Sequence, residues 1–239
     1  VFVARVGRND LVQHEAHFRA KGVLPVLAGD AELGSGALVT IVDPSGERSF
    51  LTDRGANLNL CAADLADDLL DNTGLVLISG YSFFAPGPRA AVQSLLGRVR
   101  EKTIPIAIDP ASIGFLDEVG PRTFLSWVGE ADWLFANENE AEMLSGVVDF
   151  EEQMRILGKQ FRQVVIKRGR FGAAIGGRDG VTLSRSAPIV NVVDSTGAGD
   201  AFAAGFVAAL LRQEPLETCL EEGIQNGSRA VQHVGGQPQ

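Results

Sequence analysis

The chain has 239 residues, 45% of them hydrophobic, with 28 glycines and a formal charge of −9 at neutral pH. That length allows one large domain, or a domain with a small appendage, around a full core. The acidic balance argues against a nucleic-acid or anionic-membrane partner, and no apolar run approaches the roughly 18 residues of a membrane span. With no signal-peptide pattern either, the expected location is the cytoplasm. Cys61 and Cys219 fall in different expected helices without metal or redox spacing, so both are expected to pack as small apolar residues in a reducing compartment.

In the first third, Ala37–Asp43 alternates apolar and small residues, Pro44–Glu47 reads as a turn, and Arg48–Asp53 alternates again. This predicts a β-hairpin projecting as a small sheet. From Gly74 onward, short apolar runs alternate with helical patterns. Leu75–Ile78, Pro105–Ile108, Trp133–Ala136 and Val164–Ile166 read as strands. Helices are expected over Arg89–Lys102, from near Asn139, and over Gln153–Phe161. Continuous apolar strands separated by helices predict an α/β fold with a mostly parallel central sheet covered on both faces. The strands run into Ser79-Gly80, Asp109-Pro110, Asn137-Glu138 and Lys167-Arg168-Gly169. Ligands of open α/β sheets bind beyond the carboxyl ends of strands, so these four ends mark one working edge.

The run Asp194-Ser195-Thr196-Gly197-Ala198-Gly199-Asp200-Ala201-Phe202 leads into an Ala-rich helix. Small residues before a helix let backbone N–H groups converge where the helix dipole favours an anion. Gly197, Ala198 and Gly199 are the expected anion-hole donors, and Asp200 is placed to accept a proton from a hydroxyl. Asp200 as a helix-stabilising carboxylate is the plainer alternative. This stretch closely resembles the D-T-x-G-A-G-D-x-F signature of the PfkB/ribokinase family of carbohydrate kinases, with Ser195 the one mild departure.

The resemblance implies a ribokinase-like fold with residues 1–36 and 58–239 as the main domain and residues 37–57 as a β lid. It further implies ATP-dependent phosphoryl transfer to a hydroxyl of a small sugar or sugar derivative, with ATP and Mg²⁺ as cofactors and a homodimer formed through the lid. Asn137 and Glu140 fit the family's N-x-x-E, where Glu140 would hold Mg²⁺ through water; a helix capping box is the competing reading. Lys167 and Gly169 fit its K-x-G-x-x-G on the nucleotide side, against a plain hairpin turn before Ala173–Ile175. Asn226 is a candidate for the adenine edge or a surface residue. Asp194 and Thr196, with the Val231–Gly236 segment, match where relatives bind a monovalent cation such as K⁺. Asp53-Arg54-Gly55-Ala56-Asn57 resembles the R-G-A-N element of several sugar kinases, making Arg54 and Asn57 acceptor-side candidates. Arg54 would reach an acidic acceptor or pair with a lid carboxylate. Tyr81 would pack against substrate or in the core.

The resemblance starts late: the family's opening strand and G-G-x-x-x-N motif are not in this sequence. Asn9–Gln13 is short against G-D-D-x-x-G, and Asp109-Pro110-Ala111-Ser112 lacks the D-x-N-x-R of many keto-sugar-acid kinases. A nucleoside kinase of the same family and a nucleotide-binding relative without turnover are the alternatives. A dinucleotide-dependent dehydrogenase is disfavoured, because no G-x-G-x-x-G follows an early strand.

Overall fold

A computed structural model describes residues 1–42 and 48–236, so the expected turn at Pro44–Glu47 lies outside the described residues. The chain divides into two compact units, one of residues 1–73 and 82–102, the other of residues 74–81 and 103–239.

In the first unit, β1 (Phe2–Gly7) pairs in parallel with β2 (Pro25–Asp30) across α1 (Leu11–Ala20). The expected hairpin is present as β3 (Ala37–Val42) and β4 (Arg48–Asp53), antiparallel with Ala37 opposite Asp53. Its alternation puts Leu38 on one face and Val39, Ile41 and Leu51 on the other, and all four are at least half exposed. The helix expected from Arg89 begins earlier, as α2 (Pro86–Glu101), because proline is tolerated in a first helical turn. Ala91, Val92, Leu95, Leu96 and Val99 recur at helical spacing and form its buried face.

Asp30 is the polar hub of this unit. Oδ1 accepts from the backbone N–H groups of Glu32 and Leu33 at 2.9 and 2.8 Å. Oδ2 accepts from Asn59 Nδ2 and Arg5 Nε, both at 2.9 Å. The bonds from Leu33, Asn59, Glu32 and Arg5, in that order, hold its carboxyl far below the usual carboxylate range. Arg5 continues to Asp64, tying β1 to the turn at residues 62–64. Cys61 precedes that short turn and is exposed, so only Cys219 packs as the sequence suggests.

The second unit is a six-stranded sheet in the order β10-β9-β8-β7-β6-β5. β5 (Val76–Ser79), β6 (Ile106–Asp109), β7 (Ala131–Asn137) and β8 (Phe161–Lys167) run parallel, as expected. β9 (Ala173–Gly177) and β10 (Gly180–Arg185) extend it antiparallel. Helices α3 (Ile113–Val119), α4 (Pro121–Val128), α5 (Glu138–Ser145), α6 (Phe150–Leu157), α7 (Ala198–Leu211) and α8 (Leu216–Ala230) complete the unit. Phe161, expected at a helix end, instead opens β8. The helix stops at Leu157, and a Cβ on Gly158 would lie 2.1 Å from the backbone of Gly177.

Alternation along the strands sends side chains to opposite faces. Trp133, Phe135 and Val165 join Phe202, Phe206, Leu220 and Ile224 of α7 and α8 in one core. The Phe135 and Phe206 rings meet edge to face at 5.1 Å. Leu134, Ala136, Val164 and Ile166 are fully buried on the opposite face, where α5 and α6 contact the sheet. α8 lies close against α7 because Gly205 has no side chain: a Cβ there would sit 2.7 Å from the Glu222 carbonyl. Among the described residues no helix is long and apolar enough to cross a membrane.

Candidate active site

Register across the parallel strands sets Ser79 beside Asp109 and Asn137 beside Lys167, so the four polar strand ends share one edge of the sheet. Lys167 reaches past the end of β7, and its Nζ lies 2.8 Å from Asp109 Oδ2. Both side chains are mostly shielded, at 14% and 17% exposure. The other oxygen, Asp109 Oδ1, accepts from Ala111 N at 3.0 Å across a turn in which Ala111 adopts a left-handed backbone. Asp109 was visible in the sequence only as a polar strand end, and its partner stands 58 positions away.

The turn into α7 is built by glycine. Gly197 caps the helix at φ +74°, in the left-handed region. A Cβ on it would fall 2.7 Å from the Gly236 carbonyl oxygen. A Cβ on Gly199 would lie 3.3 Å from Lys167 Nζ, so the ammonium approaches the first turn because nothing projects there. Ala198 N donates to Ser195 O and Ala201 N to Gly197 O. Of the three expected donors, Ala198 is therefore already engaged. The N–H groups of Gly197, Gly199 and Asp200 bond to no acceptor among the described residues. Three unengaged donors at a helix N-terminus, with an ammonium close to Gly199, have the chemistry an anion requires.

Asp200 stands in the first turn of α7 and is exposed as a residue. Desolvation of its carboxyl pushes its pKa up, Asp109 adds to the rise, and Lys167 offsets part of it.

Asn137 and Glu140 form the capping box: Asn137 Oδ1 accepts from Glu140 N, and Glu140 Oε2 accepts from Asn137 N, both at 2.9 Å. Glu140 is 4% exposed. Burial raises its pKa; the Asn137 backbone bond opposes this, Asp109 raises it further, and Lys167 and the Asn137 side chain lower it. The box uses one carboxylate oxygen. The other, Oε1, is not needed by the box. No cluster of three His, Cys, Asp or Glu among the described residues could hold a metal by itself. A single carboxylate oxygen is compatible with Mg²⁺, which keeps several waters and is commonly held by one or two carboxylates plus substrate phosphate. Next to the box, Arg168 Nε pairs with Glu138 Oε1 at 3.1 Å, and its guanidinium lies 4.2 Å from the Phe150 ring centroid. This joins the loop after β8, with Gly169, to the start of α5.

The Asp194 carboxylate is spent on the backbone: Oδ1 accepts from Thr196 N at 2.7 Å and Oδ2 from Gly235 N at 3.0 Å. Val193 N and Asp194 N both donate to Val231 O. The 231–236 segment is thereby stitched to the turn. Asn226 Nδ2 donates to Glu222 O at 2.8 Å and faces Gly205. Its neighbour Gln225, with Arg185, Ala187, Pro188 and Ile224, lines a groove instead. Tyr81 is 55% exposed, not in a core. In the first unit, the Arg54 guanidinium lies 3.7 Å from the centroid of the Phe84 ring, and Asn57 is exposed at the end of the hairpin.

The family model for pfkB family carbohydrate kinases matches residues 1–239. The fold is that of ribokinase-like proteins. A ribokinase II from E. coli solved in complex with ATP and Mg²⁺ superposes with a TM-score of 0.87 at 24% identity, covering 98% of this chain and 77% of that one. The chain belongs to the pfkB family of carbohydrate kinases. It is 34% identical over 157 residues to a cytidine kinase of Thermococcus kodakarensis, covering 63% of this chain and 55% of that protein. It is 28% identical over 214 residues to a ribokinase of Arabidopsis thaliana, covering 85% of this chain and 54% of that protein. The chain thus spans about half the length of these curated relatives.

Proposed function

We propose that this chain carries the phosphoryl-transfer machinery of an ATP-dependent kinase that acts on a hydroxyl of a small sugar or sugar derivative. The observation that carries the reading is the set of free N–H groups at Gly197, Gly199 and Asp200 beside Lys167 and the Asp200 carboxylate. The transferring group brings negative charge that these donors neutralise in place, and Asp200 takes the proton of the attacking hydroxyl. Glu140 would hold hydrated Mg²⁺, which when bound neutralises the phosphates of ATP. Gly169 lets the loop after β8 approach them, and Asn137 orients Glu140. The groove at Gln225, beside Asn226 on α8, is the proposed seat of the adenine base.

Arg54, Asn57 and Tyr81 are the proposed acceptor contacts, and residues 37–57 the lid of the main domain. A nucleoside acceptor is the second reading, favoured by the likeness to a cytidine kinase. A screen of sugars and nucleosides with ATP and Mg²⁺, read by mass spectrometry of the products, tests both. Transfer to none of them, with nucleotide still bound, would leave the non-turnover reading in place.

Glu140→Gln keeps the capping box, since glutamine also serves at that position, but removes the charge. The affinity for an ATP analogue with Mg²⁺ should fall about tenfold, with little change in melting temperature. Calorimetry at several Mg²⁺ concentrations checks this, and unchanged metal dependence would reduce Glu140 to a cap.

A monovalent cation such as K⁺, if held near Asp194 and Thr196, would be bound by carbonyl oxygens, since both Asp194 oxygens are engaged. The exposed apolar faces of the hairpin suit a homodimer through the lid. Hydrogen exchange in β3 and β4 should then slow as protein concentration rises, and exchange independent of concentration would count against that assembly. An ATP pool and an exposed free thiol at Cys61 fit the cytoplasm.

A further inference from the structure

We infer that Asp109 is a positioning residue: it holds the Lys167 ammonium over the first turn of α7, where a nucleotide phosphate would sit. The inference rests on the phosphotransferase reading above. A lysine side chain is long and rotatable, and lysine binds phosphate as a point charge, so its usefulness depends on where the charge is held. Here β6 and β8 are separated by β7, and Lys167 crosses that gap to Asp109 at 2.8 Å. The carboxylate cannot swing freely, because its other oxygen is bonded to Ala111 N across a turn that contains a left-handed residue. The turn is further confined by Gly80, where a Cβ would lie 2.1 Å from the Pro110 carbonyl oxygen. Asp109 is thus a fixed anchor, and the ammonium it holds comes to 3.3 Å from the Cβ position of Gly199. The same carboxylate and ammonium are the two charges that act on Asp200, in opposite senses. An incoming phosphate would share an ammonium already in place, with no rotamer search left to make.

Asp109→Asn separates the two duties of this side chain. The carboxamide oxygen still accepts from Ala111 N, but the ion pair is lost. Acetylation of individual lysines by acetic anhydride, followed by mass spectrometry, reads Lys167 directly, with exposed Lys159 as internal reference. Lys167 should react several-fold faster in Asp109→Asn than in the unaltered protein, and Mg²⁺-ADP should slow it. With an acceptor found by the screen, kcat should fall about tenfold while KM for Mg²⁺-ATP stays level or drops, because no carboxylate competes for the ammonium. The acid limb of the kcat profile should move to lower pH. In a Lys167→Met background, Asp109→Asn should add no further loss of kcat. Unchanged Lys167 labelling would overturn the inference. So would faster labelling with unaltered kcat, or parallel losses in kcat and KM with a fixed acid limb. Asp109→Ser, whose hydroxyl also accepts from Ala111 N, serves if the asparagine variant does not fold. If no acceptor is phosphorylated, the phosphotransferase reading fails on its own, and the labelling still decides whether Asp109 holds Lys167.

Discussion

Asp200→Asn should stop chemistry without stopping binding. The kcat of the complete protein is expected to fall by at least about two orders of magnitude, the usual contribution of a positioned base. A substrate hydroxyl has a pKa far above 7, so its proton needs an acceptor as the phosphoryl group arrives. Asparagine keeps the size and polarity of the side chain but cannot take that proton. The helix start, the Gly197 and Gly199 donors and Lys167 should all persist, so nucleotide affinity should stay within a few-fold. Because the proposed base must be deprotonated and the Asp200 pKa is raised, activity should decline on acidification from a pH above the ordinary aspartate value. Steady-state kinetics with calorimetry on the same samples separate the two effects. Near-normal turnover in Asp200→Asn would make the carboxylate a helix-stabilising group and the mechanism wrong.

Gly197→Ala should damage both stability and turnover. The left-handed backbone costs a residue with a Cβ about 1–2 kcal/mol. The new methyl would also lie 2.7 Å from the Gly236 carbonyl, a backbone atom that yields only by moving the 231–236 segment. Overpacking of that kind adds about 1–3 kcal/mol. Turnover should fall by tenfold or more, because the N–H groups that define the cradle follow the turn. Gly169→Ala is the matched control: it too has positive φ, at +52°, but nothing lies within 4 Å of its Cβ position. Denaturant midpoints should rank Gly197→Ala well below Gly169→Ala. Equal midpoints would mean that the contact with Gly236 does not constrain the turn.

The parallel strands were legible because each is a continuous apolar run ended by polar residues, as at Ile106–Asp109 and Ala131–Asn137. The helix start at Gly197–Asp200 was legible because local chemistry suffices to specify it. β9 was legible only as the Ala173–Ile175 run after a hairpin turn, and β10 was not, since Gly176, Gly177 and Gly180 crowd its start. Gly176 is needed there because the backbone of Gly180 passes 2.4 Å from where its Cβ would be. The β1–β2 pair was hidden for another reason: a parallel pairing leaves no turn signal between its strands. Within the site, residue types were readable and lateral partners were not. Nothing near Lys167 announces Asp109, and nothing near Ala198 says that its N–H is taken by Ser195. Of the two readings offered for Asn137 and Glu140, the capping box is the one the geometry displays, and it uses one carboxylate oxygen.

The bond from Gly235 to Asp194 closes a loop of 41 positions. Both α7 and α8 lie between its two ends, so their packing is part of what brings Gly235 to Asp194. The signature peptide is therefore braced from outside its own letters. A nascent chain that has emerged only as far as α7 would display the complete motif while still lacking that brace. The proposed anion site thus draws on residues far along the chain from the motif that announces it.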